Sequence, residues 1–342
     1  MKRKPVIIDC DPGHDDMMAL VMAYGSQKLD IRAVTTVAGN NTIENTTRNA
    51  LNVLHYVGAD DIPVAMGFQD PIVRSHKEVM EKMLADRKKY MPESVTVSGE
   101  KIQGASAHGI SGLDGFCFPE YNPMKPAAEC SVEMMAKVLR ESEEKVTIIS
   151  TGPLTNLGLL LRGFPDLVGK IQEISMMGGT SEFVLTRPFM EFNTFVDPEA
   201  TRIVFNSGVP ITMYGYDVTY RVLYSQDTID QVRSIGNQTG AMVSDLLNYF
   251  MVHHNGLLKR LNLNDTAPIH DACAVAGVID SSLVTEAKDM HVDVELGGHY
   301  FDGATICDYT DCMHFAKNVR VVYNMDVPRF LQLLIDCTAN CK

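Results

Sequence analysis

Four aspartates lie close together near the start of the chain, in the segment PVIIDCDPGHDD that covers residues 5–16. They are Asp9, Asp11, Asp15 and Asp16. Two carboxylates about 4 Å apart repel each other by roughly 4 kcal/mol at an effective dielectric constant of about 20, and a bound cation removes that repulsion. Carboxylate and carbonyl oxygens are the ligands of hard cations. The cluster therefore predicts a Ca²⁺ or Mg²⁺ site, and a flexible oxygen cage favours Ca²⁺.

The segments on either side place this cluster at the end of a strand. The apolar residues 6–8 are typical of a buried parallel strand, Pro12 and Gly13 break the chain, and the apolar residues 17–24 predict a buried helix. A helix N-terminus favours one or two acidic residues, but it does not account for four. In open α/β sheets, ligands bind beyond the carboxyl ends of the strands, which is where these acids are expected.

The rest of the chain continues to alternate strand and helix. Further strands are predicted at residues 30–37, 62–65, 146–149, 171–177 and 209–214. This order is typical of an open, mostly parallel, Rossmann-like α/β sheet flanked by helices, and the length is compatible with a single domain over residues 1–342. Residues 74–103 interrupt the alternation with a highly charged segment. We predict a surface helical insertion there, which is a candidate lid.

The composition argues against several classes of function. A net charge of −13 disfavours binding of nucleic acid through its phosphates. No apolar run is long enough to span a membrane, and the basic residues 1–4 lead into a short strand rather than a secretory signal. The eight cysteines are scattered without a Cys-x-x-Cys pair, which indicates reduced thiols. We therefore expect a cytoplasmic protein that binds neither nucleic acid nor membrane.

Other polar residues also follow predicted strands, and the carboxyl ends of parallel strands meet at one edge of a sheet. They are Asn40, Thr151, Glu191, Asn193, His270 and Asp271, with Met177 before a pair of glycines. Taken alone, Asn40 is also typical of a turn, Thr151 of a helix cap, and His270 of an ordinary core or surface histidine. The sequence has no P-loop and no Gly-x-Gly-x-x-Gly motif, which disfavours nucleotide binding. Many acceptors beside a hard cation suit a polyhydroxylated neutral substrate and cleavage of a glycosidic bond.

These motifs together resemble the inosine-uridine-preferring nucleoside hydrolase family along nearly the whole chain. The resemblance is carried by DCDPGHDD at residues 9–16, VAGN at 37–40, TGPLTN at 151–156, MGG at 177–179, EFN at 191–193, DPEA at 197–200 and HD at 270–271. It implies Ca²⁺-dependent hydrolysis of ribonucleosides to free base and ribose, in nucleoside salvage. It also implies a homo-oligomer, with a tetramer favoured over a dimer.

The resemblance further implies roles for matching residues. Asp11, Asp16, the Thr151 carbonyl and Asp271 bind Ca²⁺, Asp11 is the general base for a calcium-bound water, and His270 donates a proton to the leaving base. The implied substrate contacts are Asp15 and Asn193 with the 2′-hydroxyl, Asn40 and Asp271 with the 3′-hydroxyl, Glu191 with the 5′-hydroxyl, Met177 beneath the sugar, and His108 in the loop that covers the base.

Two departures from the family pattern leave alternatives open. Leu185 stands where family members usually have an asparagine that contacts the 5′-hydroxyl, and the 74–103 insertion is longer than usual. The alternatives are a hydrolase for a modified or non-standard N-riboside and a non-catalytic protein that binds Ca²⁺ and a riboside.

The chain has no tryptophan, which argues against the purine-specific members that stack the base between tryptophans. The preferred base stays open.

Overall fold

The computed structural model describes residues 2–90, 96–97, 100–101, 108–182, 190–260, 265–298 and 300–342. The strands are β1 (Lys4–Cys10), β2 (Leu29–Thr36), β3 (Val64–Ala65), β4 (Thr96–Val97), β5 (Glu100–Lys101), β6 (Val146–Ser150), β7 (Ile171–Met177), β8 (Ile211–Tyr214), β9 (Leu223–Ser225), β10 (Thr266–Pro268), β11 (Val284–Met290), β12 (Val292–Val294), β13 (Thr305–Cys307) and β14 (Val319–Met325). The helices are α1 (His14–Gly25), α2 (Ile43–Val57), α3 (His76–Tyr90), α4 (Ser131–Glu141), α5 (Thr155–Gly163), α6 (Phe192–Val196), α7 (Pro198–Phe205), α8 (Tyr216–Thr219), α9 (Gln226–Ser234), α10 (Gln238–Arg260), α11 (Ala272–Ile279) and α12 (Val327–Ala339).

Eight of these strands form the central sheet, in the order β11-β14-β8-β7-β6-β1-β2-β3. Every neighbouring pair is parallel except the edge pair of β11 and β14. The mostly parallel α/β architecture predicted from the sequence is therefore confirmed. From β1 the chain builds the sheet outward in one direction through β2 and β3, and later in the other direction from β6. The boundary between β1 and β6 is thus a topological switch point, beyond which ligands bind in sheets of this type.

Apolar side chains of β1 enter two core layers on opposite faces of the sheet. Val6 and Ile8 pack with residues of α1, α2, α10, α11 and α12, and Ile7 packs with residues of α4, α5 and α7. Residues 17–23 of α1 are fully buried. This burial on both sides explains why strand and helix are both almost uninterrupted apolar runs. Among the described residues, no helix is long and apolar enough to cross a membrane.

The first half of the predicted insertion is helix α3. Its buried residue Val79 packs against Phe195, and Arg74, just before the helix, forms an ion pair of 2.9 Å with the largely buried Asp302. The described part of this segment is therefore fixed to the body of the protein. Much of the segment from residue 91 to 103 lies outside the described residues, so its role as a lid stays a prediction.

Asp197 joins three segments next to the sheet. Its side chain caps α7 by accepting from the Ala200 N–H at 2.9 Å, and it also accepts from the Ile72 N–H at 2.9 Å and the Thr155 hydroxyl at 2.7 Å. Pro198 follows at the first position of the helix, where its missing N–H costs nothing. Because Asp197 is fully buried, each of its three donors depends on it.

We expect Asp197→Ala to lower the free energy of unfolding by about 3 kcal/mol, because two buried donors and one partly buried donor lose their acceptor. Asp326 is a matched control, since it caps α12 from a partly exposed position through the Arg329 N–H. Asp326→Ala is expected to cost only about 1 kcal/mol. Urea denaturation followed by circular dichroism measures both values. Equal losses for the two variants would contradict the bridging role of Asp197.

Candidate active site

The turn between β1 and α1 is organised around the carboxylate of Asp16. One of its oxygens accepts from the Asp11 N–H at 3.2 Å and the Thr151 hydroxyl at 2.7 Å. The other accepts from the Gly13 N–H at 3.0 Å and the Asn40 side-chain amide at 3.2 Å. Asp16 thus holds together the ends of β1 and β6 and the loop after β2, the three neighbouring strands at the switch point.

Three carboxylates converge beside this turn. Asp15, Asp16 and Asp271 each offer an oxygen atom such that all three atoms lie within 4.8 Å of one another. Burial, and then the charge of neighbouring aspartates, raises the pKa of Asp15 to about 7 and raises the pKa of Asp11 and Asp271 well above the usual range. These shifts mean that ionising the acids is costly here, and bound protons or a cation would stabilise the cluster.

The donor set fits a hard divalent cation. Asp11 Oδ1 and Asp15 Oδ1 are buried and have no hydrogen-bond partner among the described residues. Unpartnered buried carboxylate oxygens are costly unless something else binds them. Every candidate ligand is an oxygen, which suits Ca²⁺ or Mg²⁺ rather than a softer metal. This group differs from the ligand set that the family resemblance implies. Asp11, which the resemblance implies as a metal ligand, is not one of the three converging carboxylates. Asp15, which it implies as a contact of the 2′-hydroxyl, is one of them.

Two glycines leave the space that Asp11 occupies. A Cβ atom on Gly152 would lie 2.7 Å from Asp11 Oδ1, and a Cβ on Gly39 would come even closer to Oδ2. The same Oδ2 accepts from the Asn40 N–H at 2.6 Å. The sequence analysis included both glycines within motifs but assigned them no function. The signal that could have found them is their position, directly after β2 and β6.

The segment around α6 forms another wall of the site. The Asn193 side chain donates to the Thr151 carbonyl at 2.8 Å and to the Met177 carbonyl at 3.1 Å, so the structure brings these three predicted residues together. Glu191 caps α6, accepting from the Asn193 N–H at 2.8 Å and from the Gly179 N–H at 3.0 Å. Burial raises the pKa of Glu191 to about 7. Contact of Glu191 with a 5′-hydroxyl stays a prediction, and Leu185 lies outside the described residues.

The two predicted histidines lie next to the acid cluster. His108 Nδ1 accepts from the His14 N–H at 3.1 Å, directly after the turn at Gly13. The His14 ring in turn stacks on Tyr249, with centroids 5.3 Å apart. His270 immediately precedes Asp271, and its Nδ1 is 2.7 Å from the Thr219 hydroxyl. The sequence analysis assigned no site role to His14 or Thr219. His14 lies within the motif at residues 9–16, which was the signal that could have found it, whereas Thr219 belongs to none of the motifs.

Comparison with known proteins decides the family. The profile of the family described as inosine-uridine preferring nucleoside hydrolase matches residues 6–332. The pyrimidine-specific ribonucleoside hydrolase RihA of Enterobacter sp. (strain 638) is 40% identical over 332 residues, which cover 97% of this chain and 96% of that protein. This chain belongs to the inosine-uridine preferring nucleoside hydrolase family. The resemblance stated from the motifs is therefore confirmed.

A second relative and a solved structure agree with this assignment. The pyrimidine-specific RihA protein of Photobacterium profundum is 39% identical, covering 98% of this chain and 99% of that protein. The purine-preferring ribonucleoside hydrolase from Gardnerella vaginalis superposes with a TM-score of 0.82 at 25% identity, covering 98% of each chain. As a member of this nucleoside hydrolase family, the chain is an enzyme that hydrolyses the N-glycosidic bond of nucleosides. The family is metal-dependent, and the buried aspartates can bind a metal.

We expect Gly39→Ala to lower kcat/KM by about 100-fold, because the new methyl group would displace the carboxylate of Asp11. Gly163→Ala is the matched control, since in the described part of the chain nothing beyond its own neighbours and helix backbone lies within 4 Å of a Cβ at that position. Its kcat/KM should stay within about twofold of the parent value. Ribose release under saturating metal measures both. Full activity of Gly39→Ala would contradict the close packing of Gly39 against Asp11.

Proposed function

We propose that this nucleoside hydrolase is Ca²⁺-dependent and prefers pyrimidine ribonucleosides, which it converts to free base and ribose. The observation that carries the proposal is the buried, oxygen-only acid cluster at the β1–β6 switch point, with two unpartnered carboxylate oxygens. The base preference is supported by the two relatives that are about 40% identical and named pyrimidine-specific. The purine-preferring structure is less similar, at 25% identity.

We propose Asp11, Asp16, Asp271 and the Thr151 carbonyl as ligands of Ca²⁺. The support is the convergence of Asp16 and Asp271 with Asp15, together with the unpartnered Oδ1 of Asp11. A mixed set of carboxylates and a carbonyl is more typical of Ca²⁺ than of Mg²⁺. A cation held by these residues would supply Lewis acidity, which makes a water easier to deprotonate.

Asp11 is the proposed general base, and its hydrogen bonds show which oxygen is open to a further partner. Oδ2 accepts from the Asn40 N–H at 2.6 Å, whereas Oδ1 has no partner among the described residues. In this proposal the Asp11 carboxylate takes the proton from the water that attacks C1′. The bond from C1′ to the base nitrogen breaks as positive charge develops on the sugar, and the surrounding buried carboxylates stabilise that charge. The nitrogen leaves with the electron pair and accepts a proton from His270.

The remaining predicted residues are proposed to bind the substrate. Their support is that the hydrogen bonds described above connect most of them directly to the acid cluster or to each other. The proposed contacts are Asp15 and Asn193 with the 2′-hydroxyl, Asn40 and Asp271 with the 3′-hydroxyl, Glu191 with the 5′-hydroxyl, Met177 with the underside of the sugar, and His108 with the base. The absence of tryptophan is compatible with a pyrimidine-preferring pocket.

The first test is ribose release from uridine, cytidine, inosine, adenosine and guanosine, measured with and without EDTA. We expect release that EDTA abolishes and that added Ca²⁺ restores better than Mg²⁺. We also expect kcat/KM for uridine and cytidine to exceed the purine values by at least about tenfold. Higher purine values would contradict the base preference, and release unaffected by EDTA would contradict the metal.

Two variants control this test. Asp11→Asn should reduce kcat by at least about 100-fold, because the base is lost, and it should weaken Ca²⁺ binding in calorimetry. Asp166→Asn changes an exposed acid outside the site and should alter neither quantity. No release from any of the five nucleosides by the parent enzyme would favour a modified N-riboside as substrate, or a riboside-binding protein without turnover.

We also propose that the enzyme is a cytoplasmic homo-oligomer, and a tetramer rather than a dimer. The assembly is supported by the family resemblance alone. The compartment is supported by the eight cysteines, which all lie in the described part of the chain and are all free. Light scattering during size-exclusion chromatography should give four times the chain mass. A monomeric mass at micromolar concentration would contradict the assembly.

A further inference from the structure

The short helix α8 connects two parts of the site. It follows β8, and the carboxylate of Asp217 in this helix accepts from the backbone N–H groups of Ser181 at 2.7 Å and Glu182 at 2.8 Å. Those residues continue the loop that begins at Met177. Thr219 is the last residue of the same helix, and its hydroxyl pairs with His270. One helical turn therefore fixes both the loop beneath the sugar and the proposed proton donor.

The pairing of Thr219 with His270 is a buried one. The Thr219 side chain has no exposed surface, His270 is 7% exposed, and their Oγ1 and Nδ1 atoms are 2.7 Å apart. A hydroxyl at such a position must be paired inside the protein, because water does not reach it. The hydrogen bond also distinguishes the two edges of the imidazole, since a ring turned by 180° would present a carbon atom to the hydroxyl.

Two tyrosines hold the same ring in place. The Tyr220 ring meets His270 edge-on, with centroids 4.8 Å apart and an interplanar angle of 71°, and the Tyr216 ring lies 5.5 Å away at 49°. Tyr216 belongs to α8, and Tyr220 follows it directly. The imidazole ring and its Nδ1 atom are therefore both contacted from one short stretch of chain.

We propose that Thr219 is a positioning residue for departure of the base. Its hydroxyl holds Nδ1 of His270, which assigns the opposite nitrogen, Nε2, to the leaving base. The inference rests on the proposed function, in which His270 protonates that base. Thr219 itself contacts neither the sugar nor the base in this scheme. It acts through the orientation of the imidazole, so its removal should impair only the step that requires a correctly directed proton donor.

The test compares two substrates with different leaving groups. Uracil leaves uridine with the help of a proton, whereas p-nitrophenolate leaves p-nitrophenyl β-D-ribofuranoside as a stable anion and needs none. Thr219→Val replaces the hydroxyl by a methyl group of the same size. We expect kcat for uridine to fall by about 10- to 100-fold, with KM and the kcat for the p-nitrophenyl riboside within about threefold of the parent values. Thr219→Ser, which keeps the hydroxyl, should restore most of the uridine activity.

Two further variants separate failure of the proton donor from failure of its positioning. Thr338→Val removes another buried hydroxyl, which donates to the Leu334 carbonyl within α12, and it should change neither activity. His270→Ala should lose activity on uridine and keep it on the p-nitrophenyl riboside. If His270→Ala affects both substrates equally, the proposed proton donor and the role of Thr219 both fail. If His270→Ala discriminates between the substrates but Thr219→Val does not, the proton donor stands and only the role of Thr219 is overturned.

Discussion

Electrostatic repulsion among buried carboxylates is the constraint on which the rest of this site depends. Asp11, Asp15, Asp16 and Asp271 are all almost completely buried, and charges so placed repel strongly in a region that water does not screen. The protein compensates for one of them in part, although burial still raises the pKa of Asp16 above its usual value. Asp16 accepts four hydrogen bonds, from two backbone N–H groups and two side chains. The unpartnered oxygens of Asp11 and Asp15 leave a requirement for a cation that the described part of the chain does not meet itself.

The parallel sheet supplies the positions for this arrangement. Asp9 of β1 pairs with Ser150 of β6, and Cys10 pairs with Thr36 of β2, so the three strands end at the same level. The residues that follow the three strands therefore lie next to one another at the same edge of the sheet. The N-terminus of α1 adds its dipole next to the same carboxylates, which favours their negative charge. The apolar core beneath α1 keeps this end of the helix buried, because the apolar residues 17–23 are in contact with protein on every side.

Much of this could be predicted from the sequence, because the relevant signals are local. The apolar residues 6–8, the break at Pro12 and the acids on both sides of it were sufficient to place the strand and the turn. Of the four predicted acids, Asp15 and Asp16 belong to the group that could hold a metal ion, whereas Asp9 accepts hydrogen bonds from Thr35 and Asn156. Contacts between distant segments were not predictable in this way. His14 meets His108 across 94 positions, and Thr219 meets His270 across 51. Such pairs depend on how whole helices pack, and a lone histidine or threonine carries no local pattern that reveals its partner.

Glu191 connects the fold to the proposed binding of the sugar. The backbone N–H groups of Gly179, Asn193 and Thr194 donate to its two oxygens. The Phe192 N–H also lowers the pKa of this carboxyl group. The three bonds favour the charged form against the burial that raises its pKa to about 7. The proposed recognition of the sugar by Glu191 is thereby linked to the conformation of the loop after β7 and to the start of α6. A ligand that moved Glu191 would disturb Asn193, and through Asn193 the Thr151 carbonyl at the proposed metal site.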